Sequence, residues 1–210
     1  MVWEFVTDTP EQTQRIAENL AALLRAGDLI ILSGELGAGK TTFTQGLGRS
    51  LGVRPGIISP TFVLVRIHPN LPEGHNPGGP DLVHVDAYRL ATPGEIDDID
   101  LENTMDSSVT VVEWGEDRVE HLAASRLEIE LLRAVGSGTP QAVRPAEAGQ
   151  VAGERGEAPD FADSFDADED DGEPRTLRLR AVGPRWANTD FSKLGPLSQN
   201  TELAINPCES

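Results

Sequence analysis

Apolar residues follow three rhythms along this chain, and each rhythm predicts a different kind of element. Ile16, Leu20, Leu23 and Leu24 recur at helical spacing, the mark of a helix that buries one face. Its start is punctuated by Thr9-Pro10-Glu11-Gln12, with Thr9 suited to the N-cap, Pro10 to the first helical position and Gln12 to the return contact of a capping box. Gly27 is expected to close it. Leu29 to Leu32 is a continuous apolar run, as in a parallel strand covered on both faces. Leu127 to Leu131 and Leu177 to Ala181 alternate with period two, which predicts paired antiparallel strands with one solvated face.

The remaining elements fall between these. Val2 to Val6, Phe62 to Ile67, Leu82 to Val85 and Val109 to Val112 read as strands, the last two ending at Asp86 and Glu113. Thr41 to Leu51 reads as a helix stopped by Gly52. Thr92 caps a further helix, with Glu95 in the capping-box position, and Glu116 to Leu122 is a short helix. Ile57 to Thr61 is a loop, and Pro69 to Pro80, with four prolines and three glycines, is an exposed one. Strands alternating with helices predict an α/β domain: a mainly parallel sheet flanked by helices, with an antiparallel hairpin on its C-terminal side.

Charge divides the chain further. Of the formal net charge of −18 over 210 residues, half lies in 134–174, where eleven acidic residues meet two arginines. Such a segment buries too little apolar surface to order itself and reads as a disordered insertion in the hairpin. The domain then spans 1–133, its returning strand is 175–185, and 186–210 is a tail without clear periodicity, read as mobile. An acidic balance argues against a broad grip on nucleic acid, though not against one that arrives through a partner. A single cysteine, Cys208, fits a reducing compartment. No apolar run approaches the roughly 20 residues of a membrane span, and the acidic N-terminus with Glu4 and Asp8 is no signal peptide. A soluble cytoplasmic protein is the expectation.

The chemistry centres on Gly34-Glu35-Leu36-Gly37-Ala38-Gly39-Lys40-Thr41, a full match to G-x-x-x-x-G-K-T between a buried strand and a helix. Its glycines let backbone N–H groups turn inward around phosphate oxygens, and the helix adds its positive end. Lys40 reaches the outer phosphates, and the Thr41 hydroxyl is suited to ligate magnesium. This predicts a P-loop nucleoside triphosphate site, most simply for ATP with Mg2+. A magnesium nucleotide site also needs carboxylates at neighbouring strand ends, and Asp86 and Glu113 stand there. The bland alternative for each is a solvated strand-end acid. Ser59-Pro60-Thr61 fits either a hydroxyl switch that senses the γ-phosphate or a proline-initiated turn. His84 reads as a packed or hydrogen-bonded histidine, and Trp114 as core or as a shield over the site.

Four ordered motifs give a resemblance. Glu35 to Phe43, Ser59-Pro60-Thr61-Phe62, His84-Val85-Asp86-Ala87-Tyr88-Arg89-Leu90 and Val112-Glu113-Trp114 follow the order seen in the TsaE (YjeE) family, bacterial P-loop ATPases of tRNA threonylcarbamoyladenosine synthesis. The resemblance covers about residues 4–132 and resumes near Arg175 to Val182. It implies slow ATP hydrolysis in concert with TsaD and TsaB, with tRNA met only through that complex. It implies that Glu35, Leu36, Gly37, Ala38, Gly39 and Lys40 wrap the phosphates, with Thr42 beside them. Thr41 and Glu113 would serve magnesium, Asp86 would be the catalytic or water-positioning acid, and Thr61 the switch hydroxyl. Thr9 and Arg175 would be outlying nucleotide contacts. Two other readings stay open: a small-molecule kinase, which needs an arginine-bearing lid although 86–126 holds only Arg89, Arg118 and Arg126, and a nucleotide-dependent interaction protein with incidental turnover.

Overall fold

The computed structural model describes residues 2–90, 93–97, 99, 101–133 and 173–198. They form one seven-stranded sheet, ordered β1-β7-β6-β2-β5-β4-β3. Its strands are β1 Val2–Thr7, β2 Leu29–Ser33, β3 Val65–His68, β4 Asp81–Asp86, β5 Ser108–Glu113, β6 Arg126–Arg133 and β7 Arg175–Val182. Four helices accompany them: α1 Pro10–Ala21, α2 Lys40–Leu51, α3 Pro93–Asp97 and α4 Glu102–Met105.

The central strand, β2, is parallel to β5 and β6, and β4 is parallel to β5. The antiparallel hairpin is present, β6 against β7, with β1 antiparallel to β7 and β3 antiparallel to β4. The C-terminal ends of β1, β2, β4, β5 and β6 therefore share one edge of the sheet, where open α/β folds bind ligands.

One face of the sheet is covered by α1 and α2, whose Ile16, Leu20, Phe43 and Leu47 pack on Ile30, Leu32, Leu127 and Leu179. Each such side chain, fully buried, contributes about 1.5–3 kcal/mol. The two helices come close enough that a Cβ on Gly46 would stand 2.4 Å from the Gln14 carbonyl oxygen, so any larger residue there forces them apart. The opposite face buries Leu29, Ile31, Val83, Val85 and Val112 with Ile96 and Leu101. Along β6 and β7 the alternation resolves as expected: Leu127, Ile129, Leu177 and Leu179 point inward. Glu128 and Glu130 face outward and pair with Arg180 and Arg178.

Several elements differ from their sequence reading. Helix α1 stops at Ala21, and Gly27 instead turns the chain into β2 with its N–H on the Ser108 carbonyl. The capping box is shifted: Gln12 N–H donates to the Thr9 hydroxyl, while the Gln12 side chain accepts from Asp8 rather than from the cap itself. The strand expected from Phe62 begins only at Val65, because the N–H groups of Val63 and Leu64 both turn back to the Pro60 carbonyl. Of the helix expected over Glu116 to Leu122, only a 3-10 turn at Glu120–Leu122 forms. Asp117, at φ +60, breaks it, and its N–H is taken by the Glu120 carboxylate.

The stretch after Trp186, read as mobile, is packed as far as residue 198. Trp186, Phe191 and Leu194 are buried. Phe191 meets Trp3 edge-on with ring centroids 4.9 Å apart, and Asn19 donates to the Leu194 carbonyl at 2.9 Å. These side chains fill space beside α1 at irregular spacing, so they leave no period to read. Thr92, residues 134–172 of the acidic insertion and residues 199–210 lie outside the described residues. Among the described residues no helix is long and apolar enough to cross a membrane.

Candidate functional site

The phosphate loop leaves β2 at Ser33 and is shaped by backbone that only glycine adopts freely. Gly34 sits at φ +134, and a Cβ there would lie 2.3 Å from the Leu131 carbonyl oxygen, so this position admits no side chain. The loop ends at Gly39, the N-cap of α2, with no side chain capping the helix. The first N–H groups of α2 therefore point into the loop without a side-chain acceptor, at the positive end of the helix. An uncapped helix start inside a glycine loop is what an anionic phosphate requires.

Lys40 is buried, and its Nζ donates to the carbonyls of Gly34 and Glu35, each at 2.9 Å. The same ammonium lies 3.9 Å from the centre of the Trp114 ring. Trp114 is half-buried, and Tyr88 tilts against it at 5.5 Å, so its ring lies over the loop lysine and outside the two core clusters. Ala38 is buried beneath the loop, Glu35 is exposed, Leu36 projects outward at 86% exposure, and Thr42 occupies the first turn of α2.

Beside the loop, β4 and β5 run parallel with Asp86 opposite Glu113. Both carboxylates are almost fully buried. Burial of a charge without partners is costly, and each is surrounded by donors. Glu113 Oε1 accepts from Thr41 Oγ1 at 3.0 Å and meets His84 Nε2 at 2.8 Å. Asp86 Oδ2 accepts from Thr61 Oγ1 at 2.6 Å and Ser59 Oγ at 3.0 Å, while its Oδ1 accepts the Tyr88 N–H at 2.9 Å. The two hydroxyls also touch each other at 2.8 Å. Ser59-Pro60-Thr61, ambiguous as a sequence, thus presents both hydroxyls to one carboxylate.

Two residues flanking these acids hold left-handed backbone without being glycine: Trp114 at φ +60 and Leu64 at φ +65. Such strain persists only where surroundings enforce it. The Trp114 N–H is fixed on the Leu32 carbonyl, and the Leu64 carbonyl accepts the Asp86 N–H.

The outlying residues meet at the same sheet edge. The register sets Thr7 opposite Arg175 and Arg175 opposite Arg133, which brings Thr9, Arg175 and Arg133 to the loop's end of the fold. Thr9 spends its hydroxyl on capping α1, and Arg175 donates to the Glu173 carbonyl. Arg133, which the sequence reading did not single out, comes nearer: its guanidinium would stand 3.5 Å from a Cβ on Gly37, and Glu173 holds it from the other side. Its only sequence signal is its place at the end of the alternating strand.

The hard oxygens of Thr41 and Glu113 fit magnesium that draws its other ligands from phosphate and water. Among the described residues no group of three or more His, Cys, Asp or Glu is placed to hold a metal. On the neighbouring β3, burial holds the His68 imidazole below the usual histidine range, with the nearby His84 and Arg66 side chains acting in the same direction.

The chain is similar to known proteins in sequence and in fold. The family model described as "Threonylcarbamoyl adenosine biosynthesis protein TsaE" matches residues 7–139. A Streptomyces coelicolor protein named tRNA threonylcarbamoyladenosine biosynthesis protein TsaE is 44% identical over 182 residues, covering 86% of this chain and 98% of its own length. The Bacillus subtilis protein of that name is 38% identical over 129 residues, covering 61% of this chain and 76% of its own. The crystal structure of Bacillus subtilis YdiB superposes with a TM-score of 0.55 at 27% identity, over 89% of both chains. The family model spans well over half of the chain, and the Streptomyces coelicolor relative matches it over nearly its own whole length, so the chain belongs to the TsaE family.

Proposed function

We propose that this chain is the ATP-binding and ATP-hydrolysing component of tRNA threonylcarbamoyladenosine synthesis, acting with TsaD and TsaB and meeting ANN-decoding tRNA only through them. The observation that carries the reading is the Asp86–Glu113 pair, set side by side in register next to the uncapped start of α2. Loop residues 35–40 and Thr42 bind the phosphates, and Lys40 leaves the Gly34 and Glu35 carbonyls for the outer phosphates. Thr41 and Glu113 hold magnesium. When bound, it neutralises charge on the phosphate oxygens. Asp86 orients the attacking water, and Thr61 yields its hydrogen bond to Asp86 as the switch hydroxyl. Thr9 and Arg175 close the nucleotide's outer side.

The site's acids are both withheld from bulk water, which supports slow turnover by the isolated chain. The kinase reading loses support from the arginines it would need. Arg118 is spent on the Ala87 and Trp114 carbonyls, Arg126 on Glu128, and Arg89 lies over the Phe62 ring. An interaction protein with incidental turnover retains one favourable observation, the exposed apolar side chains Leu36, Phe62, Val63 and Tyr88 around the site.

The test is nucleoside mass spectrometry of tRNA from a strain depleted of this protein. Threonylcarbamoyladenosine should fall, and a wild-type copy but not Lys40→Ala should restore it. Unchanged modification would sink the assignment. If Asp86→Asn restores it fully, hydrolysis is incidental and the interaction reading holds.

A further inference from the structure

A buried imidazole stands behind the site without any role in the account above. His84 lies on β4 between Val83 and Val85 and is fully buried. Its Nε2 is 2.8 Å from Glu113 Oε1, the same oxygen that accepts the Thr41 hydroxyl. Its Nδ1 is buried with no hydrogen-bond partner. A histidine kept only for packing has no reason to leave a ring nitrogen unsatisfied, since an apolar side chain of similar size would fill the same space without that penalty. The compensating contact is the one at Nε2.

Direction follows from chemistry. A carboxylate oxygen only accepts, so for Glu113 to be ionised beside a cation, His84 Nε2 must carry the proton and donate it. Thr41 approaches Oε1 from α2, and His84 approaches it from within the sheet, two register positions behind the Asp86–Glu113 pair. Neither bond engages Oε2.

We propose that His84 is the positioning residue for Glu113: its Nε2–H anchors the carboxylate that faces Thr41, and this anchor sets the magnesium response of the site. The inference rests on the reading of Glu113 as a magnesium-side ligand. Partners that orient a ligand from behind are worth about 10- to 100-fold in metal affinity or activity. Nucleotide phosphates held by the loop backbone do not depend on them.

The experiment is isothermal titration of ADP, with and without magnesium, into the full chain and its variants. Glu113→Gln should lose most of the tightening that magnesium gives. His84→Leu should bind ADP without magnesium as the wild type does, within about threefold, and lose about tenfold of the magnesium enhancement. His84→Gln, whose amide nitrogen falls close to the position of Nε2, should recover it. A full magnesium response in His84→Leu overturns the proposal, and so does an equal loss with and without magnesium, which marks a merely structural role. If His84→Leu does not fold, His84→Asn replaces it, being one methylene too short to reach Oε1. Equal behaviour of the Asn and Gln variants then overturns the proposal. An unchanged response in Glu113→Gln removes the reading of Glu113 and the inference together, whereas loss in Glu113→Gln with none in His84→Leu removes the inference alone. In nitrogen-15 spectra of the nucleotide-free protein, His84 Nε2 should be protonated, and a bare Nε2 overturns its role as donor.

Discussion

The two strand-end carboxylates are neighbours in register, yet their surroundings are built differently. Glu113 is gripped by regular structure: Thr41 from the first turn of α2 and His84 from the middle of β4. Asp86 is gripped by a loop: Ser59 and Thr61, followed by the exposed Phe62 and Val63 and the left-handed Leu64. Rigid elements hold a side chain in one geometry, as a metal ligand would require. A loop that lays apolar side chains on the surface is suited to release its hydroxyls when a nucleotide or partner arrives. On the proposed reading of the two acids, the contrast would put magnesium binding on the Glu113 side and turnover on the Asp86 side.

That division can be broken experimentally. The first test lies outside it: Lys40→Ala should weaken ATP binding about 100-fold, since a charge-assisted contact is worth up to about 3 kcal/mol. Equilibrium titration measures it, and near-normal affinity would remove the loop from the site. Next, Asp86→Asn should lower turnover by about 10²- to 10⁴-fold with affinity nearly unchanged. A parallel loss of affinity in steady-state and binding assays would erase the contrast with Glu113. Thr61→Val should cost less, about tenfold in turnover, the price of one hydroxyl contact, and Thr61→Ser should retain most of the rate. Phe62→Ser should alter intrinsic ATP affinity and thermal stability hardly at all, within about 0.5 kcal/mol, while reducing tRNA modification in cells. A stability loss there would mean that Phe62 belongs to the core and not to a docking rim.

The smallest effect concerns pH. His68 has its folded-state affinity for protons lowered by burial, so the unfolded chain binds a proton more readily. Stability is then fully present above the ordinary histidine value of about 6.5 and declines as pH falls through it toward the lowered folded value. Denaturant titrations of His68→Gln should show a flatter profile over that window, and an identical slope would place the pH dependence elsewhere.

Legibility in the sequence followed how local each constraint is. The loop was readable because Gly34 and Lys40 answer to backbone sterics and phosphate geometry within eight residues. Asp86 and Glu113 were readable as acids ending apolar strands. The partners that tune them were not. His84 meets Glu113 across two strands, Arg133 reaches Gly37 only because β6 runs parallel to β2, and Trp186 and Phe191 close the core at no regular spacing. The sequence reading of Phe62 to Val63 as strand also failed at this level. Both residues favour strand by type, but the Pro60 carbonyl and the Asp86 carboxylate draw the chain into a turn.

By itself, then, the sequence determined the α/β architecture, the phosphate loop and the identity of the two acids, since propensity, period and glycine sterics act over short spans of chain. Tertiary structure alone decided which hydroxyl meets which acid, that Trp114 covers Lys40, and that a histidine stands behind Glu113. Those pairings depend on strand order and register, which couple residues 25–74 positions apart and leave no periodic trace along the chain.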